Sequence, residues 1–317
     1  MLLAASCNPA EPPSNESDTS LPEPAHPERV SEEQAVLFES ISADLRADPT
    51  DPTLLATLGA AYQANGFWSA GRAAYERAAE RDPGTPFWLL HAGICASENG
   101  DHDDALAAFE TLCARFSDIA PLWQRYGEAL LDAGRLAEAR RAFGETIRLA
   151  PEHPHGHVGL GDAWLRAGRP EDAVAPLQRA IDLDGEYRLP HFLLGEAFRA
   201  LERPADALRE LELGRDAGRR FLGDPWSERL DGLIADPARR RARADAHMKS
   251  GSYTRALPLL ERALLEDPRD VASLVQLGAA FDALGQTAEA RRALERARAT
   301  APGDARVLEL GRLLEGR

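Results

Sequence analysis

The sequence predicts an all-α protein, a solenoid in which short helix hairpins stack one on the next. Glycine, alanine and aromatic residues return in the same order about every 34 residues, which indicates a repeat architecture. Hydrophobic residues make up 44% of the 317 residues and aromatic residues only 6%, which suits small amphipathic helices packed through alanine and leucine. No β-branched run alternates apolar and polar residues, so no strand is expected.

The third unit illustrates the pattern. Gly127 on its first helix is expected to meet Ala139 on its second, so that the two helices approach closely while Trp123 and Phe143 fill the surrounding space. Gly134 is expected to end the first helix in a left-handed conformation. The glycines at this last position are Gly66, Gly100, Gly134, Gly168, Gly251 and Gly285.

The recurring residues resemble the tetratricopeptide repeat (TPR), whose pattern is W-x2-L-G-x2-Y, then A-x3-F, then P. Seven units in register carry the resemblance over residues 52–316, apart from one interruption; Leu160-Gly161 and Trp164 are one example. The resemblance implies a right-handed α-solenoid, in which no hairpin buries its face alone and stability comes from stacking. It also implies a scaffold that binds partner proteins and is not an enzyme.

The chain divides into six predicted segments. Ser31 and Gln34 have the spacing of a capping box, which indicates a helix at the start of the array. Extra residues break the period after the fifth unit, and a short helix near 225–234 is expected there because Phe221 and Trp226 need a packing partner. The segments are a disordered tether (1–29), an N-terminal capping helix (30–48), units 1–5 (52–218), a bridging insert (219–236), units 6 and 7 (237–303) and a C-terminal capping helix (304–317).

The N-terminus contains a candidate lipidation site. Leu3-Ala4-Ala5-Ser6-Cys7 resembles the end of a bacterial lipoprotein signal, in which a cysteine after small residues is lipidated. Only six residues precede Cys7, fewer than a signal peptide needs, so an incidental cysteine is the alternative. Elsewhere no apolar run reaches the ~20 residues that span a bilayer, so any link to a membrane is expected to be an anchor. The bacterial cell envelope is the favoured location and the cytoplasm the alternative.

Charge and cysteine content exclude several function classes. The formal net charge of −15 argues against nucleic acid as a partner, because phosphate binding needs a basic face. Cys95 and Cys113 form no CxxC pair and are expected to be buried core residues. The sequence contains no nucleophile elbow, zinc-protease helix or phosphate-binding loop, so we predict no catalytic residue and no cofactor. Three alternating histidines, His153, His155 and His157, are not expected to converge on a metal.

The candidate binding site is the concave face formed by the first helices of the units. Apolar residues in the second unit precede acidic residues in later units, which suits a basic or amphipathic peptide or partner protein. The predicted site residues are Phe87, Leu90, Ile94, Gln124, Glu128, His155, Val158, Asp162, Phe192 and Glu196. The leading prediction is therefore a non-catalytic scaffold or adaptor. The alternatives are a soluble cytoplasmic adaptor and an accessory subunit of an enzyme or redox complex.

Overall fold

Helices make up the regular structure of the described part of the chain. A computed structural model describes residues 20–215 and 217–315, and within those ranges it contains no β-strand. A 3-10 turn spans Pro27–Arg29 ahead of the α-helices. The α-helices of the described residues are α1 (Glu32–Ala47), α2 (Pro52–Asn65), α3 (Trp68–Arg81), α4 (Pro86–Asn99), α5 (His102–Arg115), α6 (Ala120–Asp132), α7 (Leu136–Leu149), α8 (His155–Arg166), α9 (Pro170–Leu183), α10 (Arg188–Ala200), α11 (Pro204–Leu213), α12 (Ser227–Gly232), α13 (Pro237–Lys249), α14 (Tyr253–Glu266), α15 (Val271–Ala283), α16 (Thr287–Thr300) and α17 (Ala305–Glu315).

The helices pack in chain order as a right-handed solenoid, which confirms the predicted fold class. Units 1–5 are the successive pairs from α2–α3 to α10–α11, and units 6 and 7 are α13–α14 and α15–α16. Helices α1 and α17 pack on the two ends of the array. No helix in the described ranges is long and apolar enough to cross a membrane.

Left-handed residues end the first helices of the units. The six predicted glycines all have positive φ, with Gly134 at 70°, and this confirms the predicted turns. In unit 5 the same place is taken by Glu202, whose φ of 56° costs about 1 kcal/mol more than glycine would. The hairpin geometry therefore imposes this conformation even where the side chain disfavours it.

Aromatic residues on the second helices fill the space beside glycines on the first. Phe143 of α7 is fully buried. A methyl group placed on Gly127 of the same unit would lie 2.7 Å from Cε1 of Phe143. A methyl group on Gly159 of the next unit would overlap the same ring. Phe143 thus packs within its own hairpin and against the following one, so the glycines permit both the hairpin and the stacking.

Residues 20–30 lie against unit 1. The Tyr62 hydroxyl donates to the carbonyl oxygen of Pro22 at 2.9 Å, and Leu21 packs on the core of the first unit. Part of the stretch predicted as a tether, residues 1–29, therefore contacts unit 1 through an apolar residue and a backbone carbonyl. Cys7 and the rest of the predicted tether lie outside the described residues.

Helix α12 connects the two halves of the array. Its Asp231 accepts hydrogen bonds from Arg243 Nε at 2.9 Å and Arg255 Nη2 at 2.8 Å, and it contacts His247 Nε2 at 3.0 Å. Burial alone would raise the pKa of Asp231, but the hydrogen bond with His247 and the charge and hydrogen bond of Arg243 hold it far below its usual range. The buried Arg240 donates to two carbonyl oxygens that follow α12. Two arginines of α13, Arg240 and Arg243, therefore have acidic or carbonyl partners in their own chain.

Candidate functional site

The first helices of units 1–4 form one continuous side of the array, and residues 217–226 lie along it. We call this side, made of α2, α4, α6 and α8, the first-helix face, and we call residues 217–226 the docked segment. The docked segment follows unit 5 and contains no helix. As the chain advances, its polar contacts reach α8 and α6 first and α4 afterwards. The segment therefore runs back along the face toward unit 1.

An arginine of the docked segment lies between two carboxylates. Arg219 donates through one terminal nitrogen to Glu128 and through the other to Asp162 Oδ2 at 2.9 Å. The two acidic side chains are only 16% and 8% exposed. Burial raises the pKa of Glu128, while the charge and hydrogen bonds of Arg219 act against that rise. The guanidinium thus offsets part of the cost of burying the two acids, and Arg166 also donates to Asp162, at 3.0 Å.

Side-chain groups of the face, and Tyr187 just before α10, also hold the backbone of the docked segment. Gln124 Nε2 donates to the carbonyl oxygen of Arg220 at 3.1 Å, and Gln124 Oε1 accepts from the N–H of Leu222 at 2.7 Å. The Tyr187 hydroxyl accepts from the N–H of Arg220 at 2.9 Å. These contacts use main-chain atoms, so they recognise the path of a polypeptide whatever its side chains, provided that the two donors are not proline.

A buried polar network anchors the end of the docked segment. His91 contacts Asp224 Oδ1 through Nε2 at 3.2 Å and Gln63 Oε1 through Nδ1 at 2.9 Å. The indole N–H of Trp226 donates to the Tyr75 hydroxyl at 3.2 Å. Burial alone would raise the pKa of Asp224, but the His91 contact and backbone N–H groups lower it to about 2. Asp224 is therefore ionised at neutral pH.

After α12 the chain is held by the end of α2. Asn65 Nδ2 donates to the carbonyl oxygen of Leu233 at 2.8 Å, and Asn65 Oδ1 accepts from the N–H of Ala235 at 2.9 Å. The side-chain amide of Asn65 thus binds backbone in the same manner as that of Gln124. The connection between units 5 and 6 consequently returns along the first half of the array as far as unit 1.

A cavity of about 650 Å³ lies beside the docked segment, between units 1–4 and α13. Its wall includes Ile94, His155 and Arg125, whose guanidinium carbon lies 3.5 Å above the ring centre of Phe221. Burial lowers the pKa of Arg125 to about 10. Burial, followed by the nearby charges of His153 and Arg220, lowers the pKa of His155 to about 4, so its ring is neutral at neutral pH.

Two family models described as tetratricopeptide repeat match the chain. One matches residues 57–118 and 127–188, and the other matches residues 96–157 and 247–314. Together they cover more than half of the sequence, and every matched stretch lies within the array of helices. The chain is a TPR protein. Its fold is one that supports protein–protein interaction scaffolds, and proteins with this repeat are generally not enzymes.

Several solved TPR structures are similar to this chain. TTC0263 of Thermus thermophilus is 21% identical, with 58% of this chain and 98% of that chain covered and a TM-score of 0.45. MamA of Desulfovibrio magneticus RS-1 is 18% identical, covering 59% and 99%, with a TM-score of 0.44. Cut9–Hcn1 of the APC/C is 17% identical, covering 88% and 52%, with a TM-score of 0.44. Among curated proteins no significant match is found.

The structure separates the predicted site residues of this TPR protein into three groups. Gln124, Glu128 and Asp162 contact the docked segment directly, and Ile94 and His155 line the cavity beside it. A second group belongs to the packed interior, since Leu90 and Val158 are buried and Phe87 packs against the cores of units 1 and 2. The third group lies on α10, where Phe192 is 41% exposed and Glu196 pairs with Arg199.

Sequence reasoning missed the residues that anchor the docked segment and its continuation. Asn65, Gln63 and His91 are polar side chains on otherwise apolar first helices, and each is buried. Their burial requires hydrogen-bond partners, so a polar residue at such a position was the available signal. Among the described residues, no cluster of three histidine, cysteine or acidic side chains could hold a metal ion. The rings of His153 and His155 lie 6.0 Å apart.

Proposed function

We propose that this TPR protein is a non-catalytic interaction scaffold that binds a non-helical, basic or amphipathic segment of a partner protein on the first-helix face of units 1–4. One observation carries the proposal: the face binds such a segment from its own chain. It supplies a pair of carboxylates for an arginine and an amide for the backbone, and these are groups that peptide recognition uses.

The electrostatics of the face favour a basic segment. Glu128 and Asp162 lie within reach of a single guanidinium and are largely buried, so a cation between them offsets a desolvation cost. The planar fork of arginine can bridge two carboxylates, whereas the ammonium group of lysine is a point charge. We therefore expect bound segments to carry arginine at this place.

The test uses arginine-bearing peptides selected on the full chain from a random display library and labelled with a photoreactive phenylalanine. They are expected to cross-link to α6 and α8. Replacing the arginine with glutamine is expected to weaken binding about tenfold or more, because hydrogen bonds between charged groups contribute about 1.5–3 kcal/mol. Cross-links confined to second helices such as α7 and α9, or equal affinity for the glutamine peptide, would reject the proposal.

We also propose that a lipid on Cys7 tethers the protein to a bacterial envelope membrane. Support comes from the small residues before Cys7 and the Pro-, Ser- and Glu-rich stretch after it, which resemble the layout of a lipoprotein. The intact mass of protein extracted from membranes of the native host should include the lipid. If a Cys7→Ser variant remains in the membrane fraction to the same extent, the tether does not depend on this residue.

A further inference from the structure

We infer that the docked segment is a built-in competitor of the partner: it occupies the partner site in the same chain, and a partner binds by displacing its arginine-containing part. The inference rests on the proposed function, because it concerns the same face. It adds that the competitor is the docked segment, that a partner must share its arginine, and that part of the segment detaches when the partner binds.

The groups that a partner would use are already engaged. Gln124 uses both ends of its side-chain amide on residues 220 and 222. Glu128 and Asp162 both receive Arg219. An external segment with an arginine and a free backbone therefore cannot make these contacts until the docked segment leaves them.

The docked segment is held unevenly along its length. Its last residue, Trp226, is only 7% exposed and packs on Trp88 with ring centres 6.4 Å apart. In the part that meets α6 and α8, Phe221 is 37% exposed and the side chain of Arg219 is 29% exposed, while Arg220 is 16% exposed and pairs with Asp184. Detachment of residues 217–223 therefore breaks the ion pairs of Arg219 and Arg220 but can leave Trp226 in place, so the array need not unfold for the partner site to open.

A partner segment must reproduce the contacts that it replaces. The first requirement is an arginine between Glu128 and Asp162. The second is a backbone carbonyl and an N–H, two residues apart, for the side-chain amide of Gln124. A segment with these features makes the same contacts as the docked segment. Because it is a separate molecule, it lacks the high effective concentration that the covalent link gives the docked segment.

The apparent affinity for a partner falls in proportion to the fraction of molecules in which the face is free. Replacing Arg219 with glutamine removes its charged hydrogen bonds to Glu128 and Asp162 but leaves every group of the face unchanged. An external peptide that retains its arginine should then bind about tenfold or more tightly to the variant than to the wild type.

The experiment measures binding of a synthetic peptide with the sequence of residues 217–227 to full-length chains. The chains are the wild type, Arg219→Gln and a control, Arg296→Gln, which removes the same charge from an exposed position on α16. Hydrogen exchange at the N–H groups of residues 220 and 222 reports in parallel whether the segment has detached. The expected result is tighter binding to Arg219→Gln alone, together with faster exchange at both positions.

The remaining outcomes distinguish the two proposals. If the peptide binds the wild type and Arg219→Gln with equal, measurable affinity, the docked segment does not compete with it. This result overturns the inference but not the proposed function. If the peptide binds neither chain but exchange is faster in the variant, the docked segment has detached and the free face still does not bind an external segment. This result rejects the proposed function. No binding and unchanged exchange shows that Arg219 does not hold the segment, which overturns this inference.

Discussion

Replacing Trp226 with alanine is expected to lower the free energy needed to detach residues 217–236 from the array by about 3–5 kcal/mol. This is the usual cost of truncating a buried aromatic side chain. Trp226 is buried against Trp88 and donates to the Tyr75 hydroxyl, so alanine removes both the packing and the hydrogen bond. Native-state hydrogen exchange of full-length protein measures the loss as accelerated exchange over this stretch.

A conservative variant separates packing from hydrogen bonding at this position. Trp226→Phe keeps a ring against Trp88 but cannot donate to Tyr75, and we expect it to cost about 1–2 kcal/mol. If Trp226→Ala exchanges like the wild type over residues 217–236, the tryptophan does not anchor the segment and the description of the site is wrong.

Replacing Phe143 with alanine is expected to lower the free energy of unfolding by about 3–5 kcal/mol. The ring is fully buried and lies against Gly127 of its own hairpin and Gly159 of the next, so its removal leaves a cavity where units 3 and 4 meet. Urea unfolding followed by circular dichroism measures the change. Because repeats are stabilised mainly by their neighbours, the transition is also expected to broaden or divide at this point.

Phe143→Leu provides the matched control. Leucine occupies the equivalent position in units 4 and 5, as Leu177 and Leu211, so the site accepts it in this fold. We expect Phe143→Leu to cost about 1–1.5 kcal/mol, since it retains most of the buried apolar volume. A Phe143→Ala variant that unfolds within about 1 kcal/mol of the wild type would show that this ring does not join the two units.

The solenoid could be predicted from sequence because each unit repeats the same local physics. A glycine such as Gly134 ends a helix wherever the left-handed conformation is needed, and a small residue such as Gly127 allows two helices to approach. These requirements recur in register, so each unit supports the interpretation of the others. The family models and the helix pairs agree with it.

The path of the insert could not be predicted because it has no period. Its course depends on pairings between residues far apart in sequence, such as Arg219 with Glu128 and Asn65 with Ala235. The sequence indicates that Phe221 and Trp226 need contacts, but it does not indicate on which surface. Sequence analysis therefore did not identify Arg219 as the partner of Glu128 and Asp162.

Amide hydrogen exchange of the wild-type protein, resolved residue by residue, tests the central claim that the docked segment lies on the first-helix face. The N–H groups of Arg220 and Leu222 donate to Tyr187 and Gln124, whereas those of Phe221 and Gly223 have no hydrogen bond within the described part of the chain. We therefore expect exchange to alternate, at least about tenfold slower at residues 220 and 222 than at 221 and 223. Uniformly fast exchange from 217 to 223 would contradict the account.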